Sequence, residues 1–416
     1  MKLKYLLYTL LLCLATMTDA QKHRVLNNNN LLSTADKFAK GYKWDDAVNT
    51  YQKYIKSLGK AKIPEEVQTK LKQAKMGAQM MDGVEQIVII DSLVVEKDSF
   101  LIKYQLSKDA GLLTTYKQYF KADSNEYGTL YINEIGNRMI FSKDGSLYNS
   151  TKLINKWSAP QILPQPVNMP GEKCNYPFMQ SDGSTLSYSS TAESLGGLDI
   201  FITSNDSADT YLKPQNIGMP YNSPDNDYMY AIDEINNLGW FASDRRQPDN
   251  KVCIYVFIPN KTKKVYDRTT ITDKQLIDLA EIHSIKDTWV GNDSIVKSGL
   301  ERLKNLRDFN TAKSTKTNEN NTFIINDNLS YTGISDFKSP EAKDLYKHYL
   351  QMKNKLLQSQ KELEEMRDKF GNANETQKKE MSPSIINLEN KVAQSIQEIK
   401  DEQKAIRNKE ILYLNK

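Results

Sequence analysis

Histidine is the side chain most often used in acid–base catalysis, and this chain of 416 residues contains only three. His23, His283 and His348 are widely separated, and no two of them lie near a plausible nucleophile in the sequence. A serine hydrolase of the α/β type would show a Gly-x-Ser-x-Gly turn, which the sequence lacks. We therefore predict a non-enzymatic protein that needs no cofactor.

Cysteine and acidic side chains give two further kinds of candidate site. Cys174 and Cys253 either form a disulfide, if the chain is exported to an oxidising compartment, or are two small buried residues. Their wide separation in sequence favours the second alternative. Asp199 and residues 225–227 offer oxygen ligands that suit Ca²⁺, but Asp-Gly and Asn-Asp pairs also make ordinary turns. We therefore predict no metal site.

Recognition by loops between strands is the third kind of chemistry. Seven aromatic, glycine and charged residues are candidate partner-binding residues: Tyr188, Gly196, Gly197, Trp240, Asp244, Arg245 and Arg246. They suit another protein or, through rings that stack on sugars, a glycan. Alternatively, Tyr188 and Trp240 belong to the core of their strands. Alternation places Trp240 and Phe241 on opposite faces, so we expect one of them to be exposed or wedged between sheets.

The overall composition excludes some classes of partner. The chain has 56 Lys and Arg residues against 52 Asp and Glu, a net charge of only +4. A protein that neutralises nucleic-acid phosphates usually carries a strong basic excess, so no nucleic acid is expected as a partner. The length suits two or three domains.

The first twenty residues predict a signal peptide. Lys2 and Lys4 precede an apolar run over residues 5–15, and a small-residue cleavage site stands before Gln21. The run is shorter than the roughly 20 apolar residues that span a membrane, and no later stretch comes close. We predict a periplasmic protein, either free or associated with the outer membrane, without a transmembrane segment. Lipid attachment at Cys13 is the less favoured alternative.

Residues 31–83 predict a helical unit. Small and aromatic residues alternate at helical spacing, as in a tetratricopeptide hairpin: Ala35, Phe38, Trp44, Ala47, Tyr51 and Tyr54. A third helix, from Pro64 to about Met81, would cover the face that one repeat leaves open. The unit is interpreted as a cap on the next domain, with a peptide-binding groove as the alternative.

Residues 84–260 change to strand periodicity and contain an internal repeat. Residues 164–170 (Pro-Gln-Pro-Val-Asn-Met-Pro) recur as residues 214–220 (Pro-Gln-Asn-Ile-Gly-Met-Pro), and strands and turns after each copy match as well. A four-stranded unit of this kind, repeated in tandem, is typical of a propeller blade. Three blades are clear, and residues 84–125 are a candidate fourth.

The repeat also resembles a known family. Residues 181–190 followed by 196–201, and 241–245 followed by 254–256, resemble the WD40-like (TolB-type, PD40) β-propeller repeat. With the helical unit in front, the order is similar to exported tetratricopeptide–propeller proteins of Gram-negative outer-membrane systems, such as the PorE-type component of type IX secretion. The resemblance covers about residues 32–290 and implies a scaffold among envelope proteins. PorE-type proteins end in an OmpA-like domain, and nothing after residue 290 resembles one.

Residues 261–338 are expected to form an extension. Thr272 and Gln275 are placed as a capping box for a helix that reaches about Thr288, and a second helix spans about residues 295–309. Residues 310–321 are a polar linker. The strand-like segment 322–331 is a candidate to close the propeller ring.

Residues 339–416 predict a helical coiled-coil hairpin. Serine–proline pairs at 339–340 and 382–383 are favourable helix starts, and apolar residues step by threes and fours through both helices. Leu356 and Leu363, in the first helix, are candidate partner-binding residues. The hairpin is either a docking arm or a purely intramolecular pair.

Three serines follow an aspartate and precede an aliphatic or small residue, which resembles an envelope O-glycosylation signal: Ser92, Ser207 and Ser294. The predicted fold class is multidomain: an N-terminal α-helical TPR-like hairpin, an all-β propeller and a C-terminal coiled-coil hairpin. We predict a non-enzymatic envelope scaffold that binds other envelope proteins; a glycan-binding propeller of an outer-membrane system is the alternative.

Overall fold

A computed structural model describes residues 19–121, 126–153, 156–205, 210–315, 323–326, 329–371 and 373–414. Helices come first, antiparallel β-sheets occupy the middle, and two long helices end the chain, which is the predicted order of helical and β units. Among the described residues, no helix combines the length and apolar character that a membrane crossing requires.

The N-terminal unit contains three helices: α1 (Asp19–Lys40), α2 (Trp44–Leu58) and α3 (Glu65–Met81). The predicted small residues Ala35 and Ala47 are fully buried, so α1 and α2 approach closely. A Cβ atom on Gly77 of α3 would lie 2.3 Å from the Trp44 ring. Any larger residue at position 77 would therefore force α3 or the Trp44 ring to move.

Three antiparallel sheets follow. Sheet I contains β2 (Leu112–Thr115), β3 (Tyr127–Ile132), β4 (Arg138–Lys143), β5 (Ser146–Thr151) and β6 (Gln161–Ile162), with the short helix α4 (Tyr116–Phe120) between β2 and β3. Sheet II contains β7 (Cys174–Met179), β8 (Thr185–Ser190), β9 (Asp199–Ser204) and β10 (Gln215–Asn216). Sheet III contains β11 (Asp227–Asp233), β12 (Leu238–Ser243), β13 (Lys251–Ile258) and β1 (Val88–Glu96).

The strand β1 completes the last sheet although it comes first in the chain. It pairs with β13 from Val88 opposite Ile258 to Glu96 opposite Lys251. The expectation of a separate fourth unit over residues 84–125 is therefore wrong. The segment after β1 forms two short 3-10 helices, Lys97–Lys103 and Lys108–Ala110, and then enters sheet I as β2.

The sheets repeat one another in detail. The loops before β7 and β11 each hold a cis-proline followed two residues later by an asparagine: Pro166 and Asn168, then Pro220 and Asn222. Each asparagine side chain pairs with the backbone of one strand residue, Leu147 in sheet I and Ile200 in sheet II. Pro166 is thus the equivalent of Pro220, whereas the sequence match pairs Pro170 with Pro220. The expected equivalence of Pro170 and Pro220 is therefore wrong.

Successive sheets pack face to face through aromatic residues of their first long strands. The rings of Tyr131 in β3 and Phe178 in β7 are 5.0 Å apart, and those of Tyr176 in β7 and Tyr228 in β11 are 5.2 Å apart. Phe100, from the segment after β1, contacts both tyrosines of the second pair. One apolar cluster therefore runs through all three sheets.

The extension contains the helices α5 (Asp273–Ala280) and α6 (Asp293–Thr315) and the hairpin β14 (Phe323–Asn326) and β15 (Leu329–Tyr331). The capping box of Thr272 and Gln275 is confirmed. Residues 310–315 of the predicted linker belong to α6, and residues 316–322 lie outside the described part. Among the described strands, β14 and β15 pair only with each other, so the expectation that this segment closes the ring is wrong.

The chain ends in an antiparallel pair of helices, α7 (Pro340–Gly371) and α8 (Glu375–Leu414). Ser339 caps α7 as predicted, since its hydroxyl accepts a hydrogen bond from the Ala342 N–H. The second helix begins before the predicted Ser382, because Asn374 and Gln377 already form a reciprocal cap. Pro383 therefore lies inside α8.

Candidate functional site

The predicted recognition loops come together in the structure. The loop face is defined here as residues 194–197, 218–226 and 244–246. A Cβ atom on Gly196 would lie 1.8 Å from the Pro224 carbonyl oxygen, and one on Gly197 would lie 2.2 Å from Asn226. Both glycines therefore serve close packing between loops of sheets II and III.

Arg245 is the centre of the loop face. Its guanidinium contacts the Asp227 carboxylate at 2.9 Å and donates to the backbone carbonyl oxygens of Pro220 and Tyr221. The Ser243 hydroxyl accepts from Nε. The side chain is 2% exposed, so Arg245 is a structural group and the prediction that it binds a partner is wrong.

The two neighbours of Arg245 face different parts of the molecule. Asp244 accepts hydrogen bonds from the Tyr228 hydroxyl at 2.6 Å and from Lys97 at 2.9 Å. Burial alone would raise the pKa of Asp244, but hydrogen bonds, first that of Tyr228, lower it. Arg246 is partly exposed and donates to the carbonyl oxygen of Ile282, which follows α5 in the chain. These residues tie sheet III to the segments before and after it.

The N-terminal helices cover the loop face. Trp44 of the helical unit packs in one apolar cluster with Leu195 and Met219 of the loops and Leu276 of α5. Tyr42 is 5% exposed, and burial is the main cause that raises its pKa. The predicted cap on the next domain is therefore the observed arrangement, and the loop face meets the chain's own helices.

Tyr188 and Trp240 are both 2% exposed, so their assignment as partner-binding residues is wrong. Phe241, beside Trp240, is fully buried too, and it packs with Ile200 of sheet II, so one of the pair lies between sheets as expected and neither is exposed. The reason is that both faces of sheet III are covered. Trp240 shares a cluster with Leu303 of α6, and Phe241 shares one with Ile200 of sheet II.

Two buried carboxyl groups support the loops. Asp199 accepts from the Leu195 N–H and from Asn216, and Asp227 accepts from the N–H and hydroxyl of Ser223. Burial is the main cause that raises the pKa of Asp227 to about 6, and it raises the pKa of Asp199 as well. These contacts are the turn-forming role that the sequence analysis favoured for both acids.

One group of ligand-type side chains escaped the sequence analysis. Within the described ranges, Asp278, Glu281 and His283 place one ligand atom each within 4.8 Å of one another. Lys274 lies 2.6 Å from Asp278, and Arg246 lies 3.7 Å from Glu281. Because cations of the chain already contact both carboxylates, the group forms an ion-pair network.

The other predicted sites have separate outcomes. Cys174 and Cys253 are free, buried thiols on different sheets, so the disulfide is wrong, and burial raises the pKa of both. Ser92 and Ser294 are exposed, whereas Ser207 lies outside the described residues. Glycosylation of these serines stays a prediction.

Leu356 and Leu363 lie in the seam between α7 and α8. Leu363 is 6% exposed and packs with Ile385 and Val392 of the opposite helix. Both leucines therefore hold the hairpin together, and their assignment to a partner surface is wrong. Leu357 and Ile386, which are 54% and 55% exposed, are among the apolar residues on the outer surface of the hairpin.

A buried glutamate, which the sequence analysis missed, fixes the base of the hairpin. Glu410 of α8 is fully buried and accepts from the Tyr331 hydroxyl and the backbone N–H groups of Lys338 and Ser339. It thus links the end of α8 to β15 and to the start of α7. The sequence held one signal of this role, because Glu410 is an acidic residue among the last apolar positions of an amphipathic helix.

A comparison of the chain with models of known families, with curated proteins and with solved structures finds no match.

Proposed function

We propose that this chain is an exported, non-enzymatic scaffold of the cell envelope, and that the α7–α8 hairpin is its docking arm for another protein. The signal-peptide pattern of residues 1–20 supports export. The three sheets are proposed to be the blades of an incomplete propeller. Their tandem order, repeated loops and face-to-face packing support this assignment.

The hairpin carries the proposal. Its helices of 32 and 40 residues satisfy their apolar seam with each other and with the β14–β15 hairpin, so the seam needs no partner. Large apolar side chains, among them Leu357 and Ile386, are nevertheless exposed on the outer surface of the hairpin. A pre-formed hairpin with outer apolar residues resembles helical recognition surfaces that bind through a few anchors.

The glycan alternative is weaker. It depends on aromatic rings that are free to stack on sugars, and the two candidate rings, Tyr188 and Trp240, are buried in the sheets. The loops around them are covered by the N-terminal helices. A protein partner at the hairpin needs neither ring.

Adjacent leucines provide a matched test of the docking arm. Leu357→Glu changes an outer residue, and Leu356→Glu changes the seam. We expect Leu357→Glu to leave the melting temperature unchanged and to abolish crosslinks to a partner in intact cells. Leu356→Glu should lower the melting temperature and abolish the crosslinks as well. Photocrosslinking from position 386 should yield the same adduct, and position 290, which is exposed outside the hairpin, serves as the control.

If the adduct is absent at positions 357 and 386, or equally abundant at position 290, the hairpin is not the docking arm.

A further inference from the structure

The outer edges of the three sheets differ in length. Sheets I and II end in β6 and β10, strands of two residues each, whereas sheet III ends in β1, a strand of nine. Short edge strands are a common protection against pairing with another chain. Sheet III lacks this protection.

Part of the β1 edge is already occupied. The Ile89 N–H donates to the Thr288 hydroxyl, and its carbonyl oxygen accepts from the Trp289 indole. Beyond this point, no described strand pairs with the outer side of β1. Since the Lys97 N–H bonds inward to Asn250, alternation directs the backbone groups of residues 92, 94 and 96 outward.

The side chains along this free edge are apolar on both faces of the sheet. Leu93 is 45% exposed and Val94, its neighbour on the opposite face, is 53% exposed. Residues 92–95 (Ser-Leu-Val-Val) contain no lysine or proline, the residues that usually block an edge. Open backbone groups and apolar side chains together fit an added β-strand.

The sequence of the edge is complementary to itself. If a second copy runs antiparallel about Val94, Leu93 lies opposite Val95, and Asp91 of each copy lies opposite Lys97 of the other. Asp91 also pairs with Arg307 of its own chain, and Lys97 with Asp244, so the charges across the axis would extend these ion pairs. The pairing between the two copies ends near Ile89, because Trp289 covers the backbone there. At the same place the second copy reaches its Lys97, where its own β1 has ended and a 3-10 helix begins.

We propose that two copies of this chain associate through their β1 edges, antiparallel about a two-fold axis at Val94. The two copies of sheet III then form one continuous sheet. An interface of this kind uses the same surface on both copies, as a two-fold dimer requires. The proposal is independent of the docking arm, because it uses no residue of the hairpin.

A single cysteine tests the register. In the proposed dimer, Val94 of one copy lies opposite Val94 of the other in a hydrogen-bonded pair. The Cα atoms of such a pair are about 5.5 Å apart, which is within disulfide range. Under mild oxidation we expect Val94→Cys to form a covalent dimer, and Val290→Cys, at a site 84% exposed, to remain mostly monomeric. Cys174 and Cys253 are buried and do not compete.

A second variant keeps the fold and removes the pairing. Val94→Pro deletes an outward N–H group, which edge strands tolerate. We expect sedimentation equilibrium to show a wild-type dimer and at least about tenfold weaker association of Val94→Pro, with unchanged circular dichroism. Intact mass must first exclude a glycan on Ser92, which would block this edge.

A monomeric wild-type chain overturns the proposal, as does equal crosslinking of Val94→Cys and Val290→Cys. A dimer that Val94→Pro leaves unchanged overturns it as well.

Discussion

Sheet III and the C-terminal hairpin both bury charged side chains, and Arg245 in the first and Glu410 in the second are satisfied in different ways. Arg245 in sheet III meets an opposite charge, Asp227, together with backbone carbonyl oxygens. Glu410 in the hairpin meets neutral donors, the Tyr331 hydroxyl and two backbone N–H groups. A buried ion pair leaves a costly charge when one partner is lost, whereas neutral donors lose only hydrogen bonds.

The largest expected effect is in sheet III. Arg245→Met leaves the Asp227 carboxylate buried without its counter-charge, so we expect it to lower the free energy of unfolding by about 3–5 kcal/mol. Adding Asp227→Asn should recover part of this loss. Chemical denaturation measures both changes.

Arg246→Ala is the adjacent control. Arg246 is 44% exposed and pairs with Glu281 at 3.7 Å, so we expect a loss below about 1 kcal/mol. If both arginine substitutions lower the free energy of unfolding equally, the buried ion pair is no more important to stability than the surface one.

The second effect is a pH dependence of sheet III. The pKa of Asp227 is about 6 in the folded chain, above its usual value of 3.8, so the folded state binds this proton more tightly. The resulting stability is fully present below pH 3.8 and is lost as the pH rises through about 6. Asp199 acts in the same direction.

Unfolding experiments between these pH values should show a shallower decline in Asp227→Asn than in the wild-type chain. Parallel curves would mean that folding does not raise the pKa of Asp227.

The smallest effect is in the hairpin. Glu410→Ala leaves three donors without this acceptor, and we expect a loss of about 1–3 kcal/mol. Glu341→Ala, which removes the exposed ion pair with Lys409, should cost below about 1 kcal/mol. If Glu410→Ala costs as much as Arg245→Met, then losing an acceptor for neutral donors is as costly as losing a buried counter-charge.

Local patterns predicted most of the helical structure. The third N-terminal helix, the capping box at Thr272 and the Ser339 cap depend on residues close in sequence, and the structure confirms them. The seam of the hairpin followed from apolar spacing alone. Each of these features is decided within a few turns of one helix or between two adjacent helices.

Long-range pairing was the part that sequence could not supply. Periodicity identified strands near Ile89 and Trp240, but it does not say which strand pairs with which, or what covers a face. Trp240 is buried by α6, and Arg245 by loops of the preceding sheet. The predicted loop residues therefore meet in the structure, but they are buried rather than accessible.

The pairing of β1 with β13 imposes an order on biosynthesis. Synthesis completes β1 before any strand of sheets I and II exists, so Ile89 and Ile90 have no ladder partner until Lys251–Ile258 follows. Such distant pairing is slow, because a long loop must close first. The nascent chain thus carries an unpaired apolar strand behind its N-terminal helices, and only the arrival of β13 ends the exposure of this strand to chaperones and proteases.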